Sequence, residues 1–106
     1  MIAGLEARLA TLAASGQTTT YGQLARDLNC RVAELTTALE ALMEADTQAN
    51  LPLRAALLNA RGTTLPARGF FDKAAALGHD ITDPVTLTQT HRHALTTSVS
   101  KYPAGA

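Results

Sequence analysis

The amino-acid sequence predicts a mainly helical α+β fold, and three of its features carry that prediction. Apolar residues recur at helical spacing from Ile2 to Met43, Thr20 and Gln23 form a helix-capping signature, and after Asp46 the chain changes to short apolar runs punctuated by proline and glycine. Of the 106 residues 46% are hydrophobic and only 4% aromatic, so alanine and leucine supply much of the apolar content, which favours helix over sheet. A chain of this length closes one modest core, and residues 1–106 are expected to form a single domain.

Ile2, Leu5, Leu9 and Leu12 lie on one helical face, and Ser15-Gly16 ends that helix where glycine can take a left-handed backbone. Thr20 is an N-cap whose hydroxyl can accept from the first turn, with Gln23 completing a capping box, so a second, short helix starts at Tyr21 and stops at Asn29. Val32, Leu35, Leu39, Leu42 and Met43 form the buried stripe of a third helix, with Arg31, Glu34 and Glu40 outside it. Three helices with a tight turn between the second and third match a helix-turn-helix module.

Beyond Asp46, Thr47 to Asn50 is polar and Pro52 blocks a helix. Arg54 to Asn59 is then a short apolar run that could be a strand, although alanine and leucine are poor strand formers. Turns at Arg61-Gly62 and at Pro66 to Gly69 flank Thr63-Thr64-Leu65, and together these pieces predict a β-hairpin, or wing, against the helices. Phe70, Phe71, Ala74, Ala75 and Leu77 fit a further short helix stopped by Gly78, and both phenylalanines are expected in the core. Asp83 followed by Pro84 opens a last helix carrying Val85, Leu87, Leu95 and Val99, and Pro103 to Ala106 are expected to fray. The predicted architecture is therefore a winged-helix-like three-helix module with a short hairpin and C-terminal helices.

Thr20-Tyr21-Gly22-Gln23-Leu24-Ala25 resembles the segment that opens the helix-turn-helix of the alkylguanine-DNA alkyltransferases and their alkyltransferase-like relatives. Leu51-Pro52-Leu53-Arg54-Ala55-Ala56-Leu57 falls where that family carries its proline-cysteine-histidine-arginine active-site segment, and the resemblance runs over about residues 18 to 65. It implies a winged-helix DNA-binding scaffold, with Tyr21 beside the DNA backbone. It also implies what this chain lacks: Leu53 stands in the place of the alkyl-accepting cysteine, and Arg54-Ala55 replaces the histidine and arginine. Leucine has no nucleophile, so no alkyl transfer is expected on that alignment. Leu35 takes the place of the arginine that the family inserts into the base stack, which removes the wedge for base extrusion. The run from Leu51 to Phe71 is also similar to a segment of small bacterial proteins that combine this kind of helix-turn-helix with an apolar strand and a glycine-phenylalanine turn.

Nine basic residues balance nine acidic ones, so no net field draws the chain to a polyanion, and any nucleic-acid surface must come from local clustering. Such clustering exists: from Asp46 to Asp72 the chain carries Arg54, Arg61 and Arg68 without an intervening carboxylate. Arginine's planar fork suits phosphate, and with Tyr21 and Arg31 these residues make up the candidate nucleic-acid-binding set. Adding Arg26 gives at most about five phosphate contacts, which implies weak binding or a dimer. Glu34 and Glu40 on the exposed face of the third helix point the other way, toward a scaffold or a protein-partner surface, so a homodimer or protein-interaction module is the competing expectation.

No nucleophile, base and oxyanion donor can be assembled from visible motifs, and neither an enzymatic role nor a cofactor is expected. His91 and His93 are two apart and diverge on a helix, so they, with His79, are read as surface residues rather than metal ligands. Cys30, the single cysteine, excludes an internal disulfide and fits a reducing, cytoplasmic setting. It lies at the helix-helix turn as a small, partly buried residue. The start of the chain does not read as a secretory leader, and no segment approaches the roughly 20 apolar residues of a membrane span.

Overall fold

The computed structural model describes the backbone of residues 2–101 and the side chains as far as Thr96. It is mainly helical, with a single small parallel pair of strands among the described residues. Helix α1 (Leu5–Ser15) buries Leu5, Leu9, Leu12 and Ala13, and Gly16 ends it at φ 66°, where the amides of Gly16 and Gln17 close back on Ala13 O and Leu12 O. Strand β1 (Thr19–Thr20) leads directly into α2 (Tyr21–Asp27).

The first turn of α2 shows half of the expected capping box. Thr20 Oγ1 accepts from Gln23 N at 3.1 Å, but the Gln23 side chain turns forward to Asp27 Oδ1 at 2.8 Å. Asn29, at φ 54°, reverses the chain, and α3 (Val32–Gln48) opens with the complementary half: the Arg31 N–H donates to Glu34 Oε1 at 3.0 Å. Leu35, Leu39, Leu42 and Met43 are buried as the spacing requires. Val32 is not; it is 47% exposed, its neighbours Arg31, Ala33 and Glu34 are exposed as well, and burial on α3 begins only at Leu35.

Helix α3 continues five residues past Met43, and Asp46 lies within that extension. Its carboxylate is 1% exposed and receives the Arg54 backbone N–H and Nε at 3.0 Å each, with Arg54 Nη2 at 2.9 Å. Arg54 Nη1 also reaches Glu6 Oε1 on α1 at 2.8 Å. A residue that resembles the polar end of a helix is thus an inward-facing anchor. Asn50, at φ 57°, finally turns the chain out of the helix.

The expected strand at Arg54 to Asn59 is corrected by the structure. Arg54–Leu57 form a 3₁₀ turn, and only Leu58–Asn59 (β2) are extended. That strand pairs in parallel with β1, Thr19 opposite Leu58 and Thr20 opposite Asn59, so the hairpin is absent from the described residues. The physical reason is burial on every side: Leu53, Ala55, Ala56, Leu57 and Leu58 are all buried, so the run threads the core and has no solvent face that a wing strand would need. Residues 60–65 instead make a tight loop, with Ala60 N donating to Leu65 O at 2.7 Å, Thr63 N to Ala60 O at 3.2 Å, and Gly62 at φ 78°.

Helix α4 (Arg68–Ala76) packs on α3, burying Phe70 and Ala74 with Phe71 half-buried, and Gly78 at φ 95° ends it. Asp83 Oδ1 accepts from Thr86 N at 3.1 Å at the start of α5 (Pro84–Lys101), whose main neighbours are α1 and the 3₁₀ turn. One core unites α1 to α4, the 3₁₀ turn and Leu95 of α5. The expectations for Val99 and for Pro103 to Ala106 lie outside the described side chains.

Asp46→Ala leaves the half-buried Arg54 guanidinium with only Glu6. Urea denaturation should show a loss of about 3 kcal/mol, the low end for a broken buried pair because Arg54 retains some solvent. Glu6→Ala removes an exposed partner and should cost no more than about 1 kcal/mol.

Candidate nucleic-acid interface

A groove of about 240 Å³ runs between α3 and the segment from Ala60 to Phe70. Leu39, Met43 and Phe70 form its apolar lining, with Val32 and Thr36 on the α3 wall, Tyr21 at the start of α2, and Arg61 and Glu40 adding charge. Two polar interactions fix the segment that faces α3. The Ala67 N–H donates to Tyr21 Oη at 3.1 Å, and Arg92 grips the loop from behind.

Arg92 is the principal residue that the sequence reading missed. Its Nε donates to Ala56 O at 2.6 Å, Nη1 to Thr64 O at 2.8 Å, and Nη2 to Asn59 Oδ1 at 2.7 Å, with Leu58 O at 3.4 Å. One guanidinium therefore satisfies acceptors from the 3₁₀ turn, β2 and the 60–65 loop, a task for which its planar fork of five N–H donors is suited. Burial lowers its pKa from the ordinary arginine value, yet it stays charged. Spacing held a clue: Thr88, Arg92 and Leu95 follow at intervals of four and three, and Thr88 and Leu95 are both buried.

The five candidate residues do not converge as a set. Arg54 is withdrawn: the salt bridges to Asp46 and Glu6 engage its guanidinium, and although burial opposes the charge, the two carboxylates raise its pKa overall. It serves the core and is corrected from the nucleic-acid set. Tyr21 is half-buried, its hydroxyl pKa raised by burial, and its oxygen already accepts from Ala67, so it stays protonated and holds the groove's shape. Arg61 lines the groove, while Arg31 and Arg68 are exposed and adjoin the lining residues Val32 and Gly69 in the chain. The Arg68 side chain is 93% exposed, its Nε 3.9 Å from Asp72 Oδ2. Arg26 donates to Gln23 Oε1 at 3.1 Å.

His93 is exposed, as expected, but His91 is half-buried rather than a surface residue, and its Nδ1 accepts the Leu53 N–H at 2.8 Å. Leu53 is fully buried. Cys30 is partly buried and unpaired in any disulfide. Among the described residues no three His, Cys, Asp or Glu side chains are grouped to hold a metal ion, and no helix is long and apolar enough to cross a membrane. No family model matches the chain, and no curated protein or solved structure is significantly similar to it.

Arg92→Lys keeps the charge but loses the fork. It should lower stability by about 1–3 kcal/mol through unsatisfied carbonyls, and hydrogen exchange should quicken at the amides of Ala60 and Thr63. Tyr21→Phe strands a single N–H, so a loss of about 1 kcal/mol is expected, with the largest amide shift at Ala67.

Proposed function

We propose that this chain is a non-enzymatic, winged-helix-like module that binds DNA through its phosphate backbone, with the 60–65 loop in the place of a wing. The observation that carries the reading is the distribution of arginines. Arg31, Arg61 and Arg68 are all exposed; Arg61 lines the groove along α3, Arg31 and Arg68 each precede a lining residue in the chain, and among the described residues neither Arg31 nor Arg61 is held in an ion pair. The resemblance of Thr20 to Ala25 to the alkyltransferase-like helix-turn-helix supports the same assignment. A buried leucine where that family has its nucleophile supports binding without chemistry.

Three phosphate contacts imply modest affinity and a log-log salt slope of about −2.7 on duplex DNA. Fluorescence anisotropy at low salt, with labelled duplex and single-stranded oligonucleotides, tests the proposal. The triple variant Arg31→Ala, Arg61→Ala, Arg68→Ala should bind at least about tenfold more weakly, in keeping with the loss of three charge-assisted contacts. Absence of binding by the wild type, or equal binding by the variant, contradicts the proposal.

A protein-interaction or dimerisation module is the second reading, and Val32 favours it: a 47% exposed apolar residue borders an apolar groove on a helix that also displays Glu34 and Glu40. Sedimentation separates the two. A stable dimer that Val32→Glu dissociates supports this alternative.

A further inference from the structure

A second cavity, of about 320 Å³, lies among Thr47, Asn50, Pro52, His79, Thr90 and His91. Here α5 is fastened to the bend before the 3₁₀ turn by one hydrogen bond, from the Leu53 N–H to His91 Nδ1 at 2.8 Å. The His79 ring stands edge-on to His91, with centroids 5.5 Å apart, and its Nε2 lies 2.9 Å from Thr47 Oγ1. We propose that His91 is an acid-sensitive latch: as the neutral base it ties α5 to Leu53, and on protonation it releases that tie.

The chemistry is a matter of lone pairs. Neutral imidazole has one nitrogen free to accept, and the bond to Leu53 requires that nitrogen to be Nδ1; imidazolium carries hydrogen on both nitrogens and can only donate. A protonated His91 would therefore set N–H against N–H at a buried backbone, and the Leu53 amide would be left unsatisfied. The surrounding charges do little to offset this. From α3, Asp46 attracts a cation at His91, but its oxygens are engaged by Arg54 of the 3₁₀ turn, which is itself cationic. Glu6 of α1 is held by the same arginine. From the segment after α4 comes His79, a second potential cation. On α5 itself, Arg92 is directed to Ala56, Asn59 and Thr64, and His93 is exposed.

Burial, followed by repulsion from His79, lowers the His91 pKa from 6.5 despite Asp46. The unfolded chain therefore takes up the proton first as acid is added. The latch contributes fully above the unfolded value near 6.5, and its contribution falls away as pH drops through that value toward the folded one. Release also has a route to the groove, because Arg92, the next residue, holds the 60–65 loop. The latch itself does not depend on the DNA-binding reading.

An NMR titration of the full chain from pH 7.5 to 5 tests it. The His91 ring should titrate below the ordinary histidine range, with the Leu53 amide, and after it the Ala60 amide, shifting at the same midpoint. An ordinary His91 midpoint, or a Leu53 amide that ignores it, overturns the proposal without any variant. In parallel, His91→Asn supplies an amide oxygen near the place of Nδ1 that does not titrate. Below pH 6.5 the wild-type unfolding constant should rise by up to about tenfold per pH unit relative to this variant. Identical pH dependence of the two overturns the latch. Oligonucleotide titrations at pH 7.5 and 6 report separately on the groove: failure to bind at both removes the DNA-binding reading and leaves the latch standing.

Discussion

The Asp46–Arg54 pair sets the course of the second half of the molecule. A carboxylate at the end of a long helix takes both the backbone N–H and the guanidinium of the residue that starts the 3₁₀ turn. This holds Leu53 to Leu58 in the middle of the core, between α3, α5 and α1. A segment so placed cannot leave the body to form one arm of a hairpin. What remains extended, Leu58–Asn59, pairs with the nearest open backbone, the strand before α2. Buried ion pairs add little net stability over well-packed apolar substitutes. The importance of this one lies in the path it imposes.

Its consequence for the surface is subtractive. The fold consumes one arginine of the run Arg54, Arg61, Arg68 and uses a further one, Arg92, to satisfy carbonyls that an irregular segment leaves open. Arg61 then stands on a loop braced from behind by Arg92, while the Ala67–Tyr21 bond fixes the neighbouring wall. The groove is thus shaped by interior polar contacts and charged by residues that take no part in them. This division lets the charge of the face be changed without disturbing the core.

Local signals were legible in the sequence where local physics decides them. The leucine spacing of α1 and α3, the Thr20 cap, the left-handed Gly16 and Asn29 and the Asp83-Pro84 start of α5 all depend on neighbours within a turn or two. The features that failed depend on distant partners. Asp46 looks like helix-terminating polarity until Arg54 is brought to it, and Arg54 looks like a phosphate ligand until Asp46 and Glu6 are seen. His91 and Arg92 look like surface residues of a polar helix, although both accept or donate across to the 3₁₀ region. The alternation that separates a wing strand from a core-threading segment was missing from Arg54 to Asn59, and that absence, with the poor strand propensity of alanine and leucine, was the warning the sequence carried.

The central claim is that Arg54 belongs to the core and not to a ligand, and a double-mutant cycle on Asp46→Ala and Arg54→Ala measures it directly. A coupling free energy of about 2 kcal/mol or more, with the double variant hardly less stable than the worse single variant, is the expected result. Additive effects with coupling near zero would mean that the two side chains do not depend on each other, and would return Arg54 to the surface set.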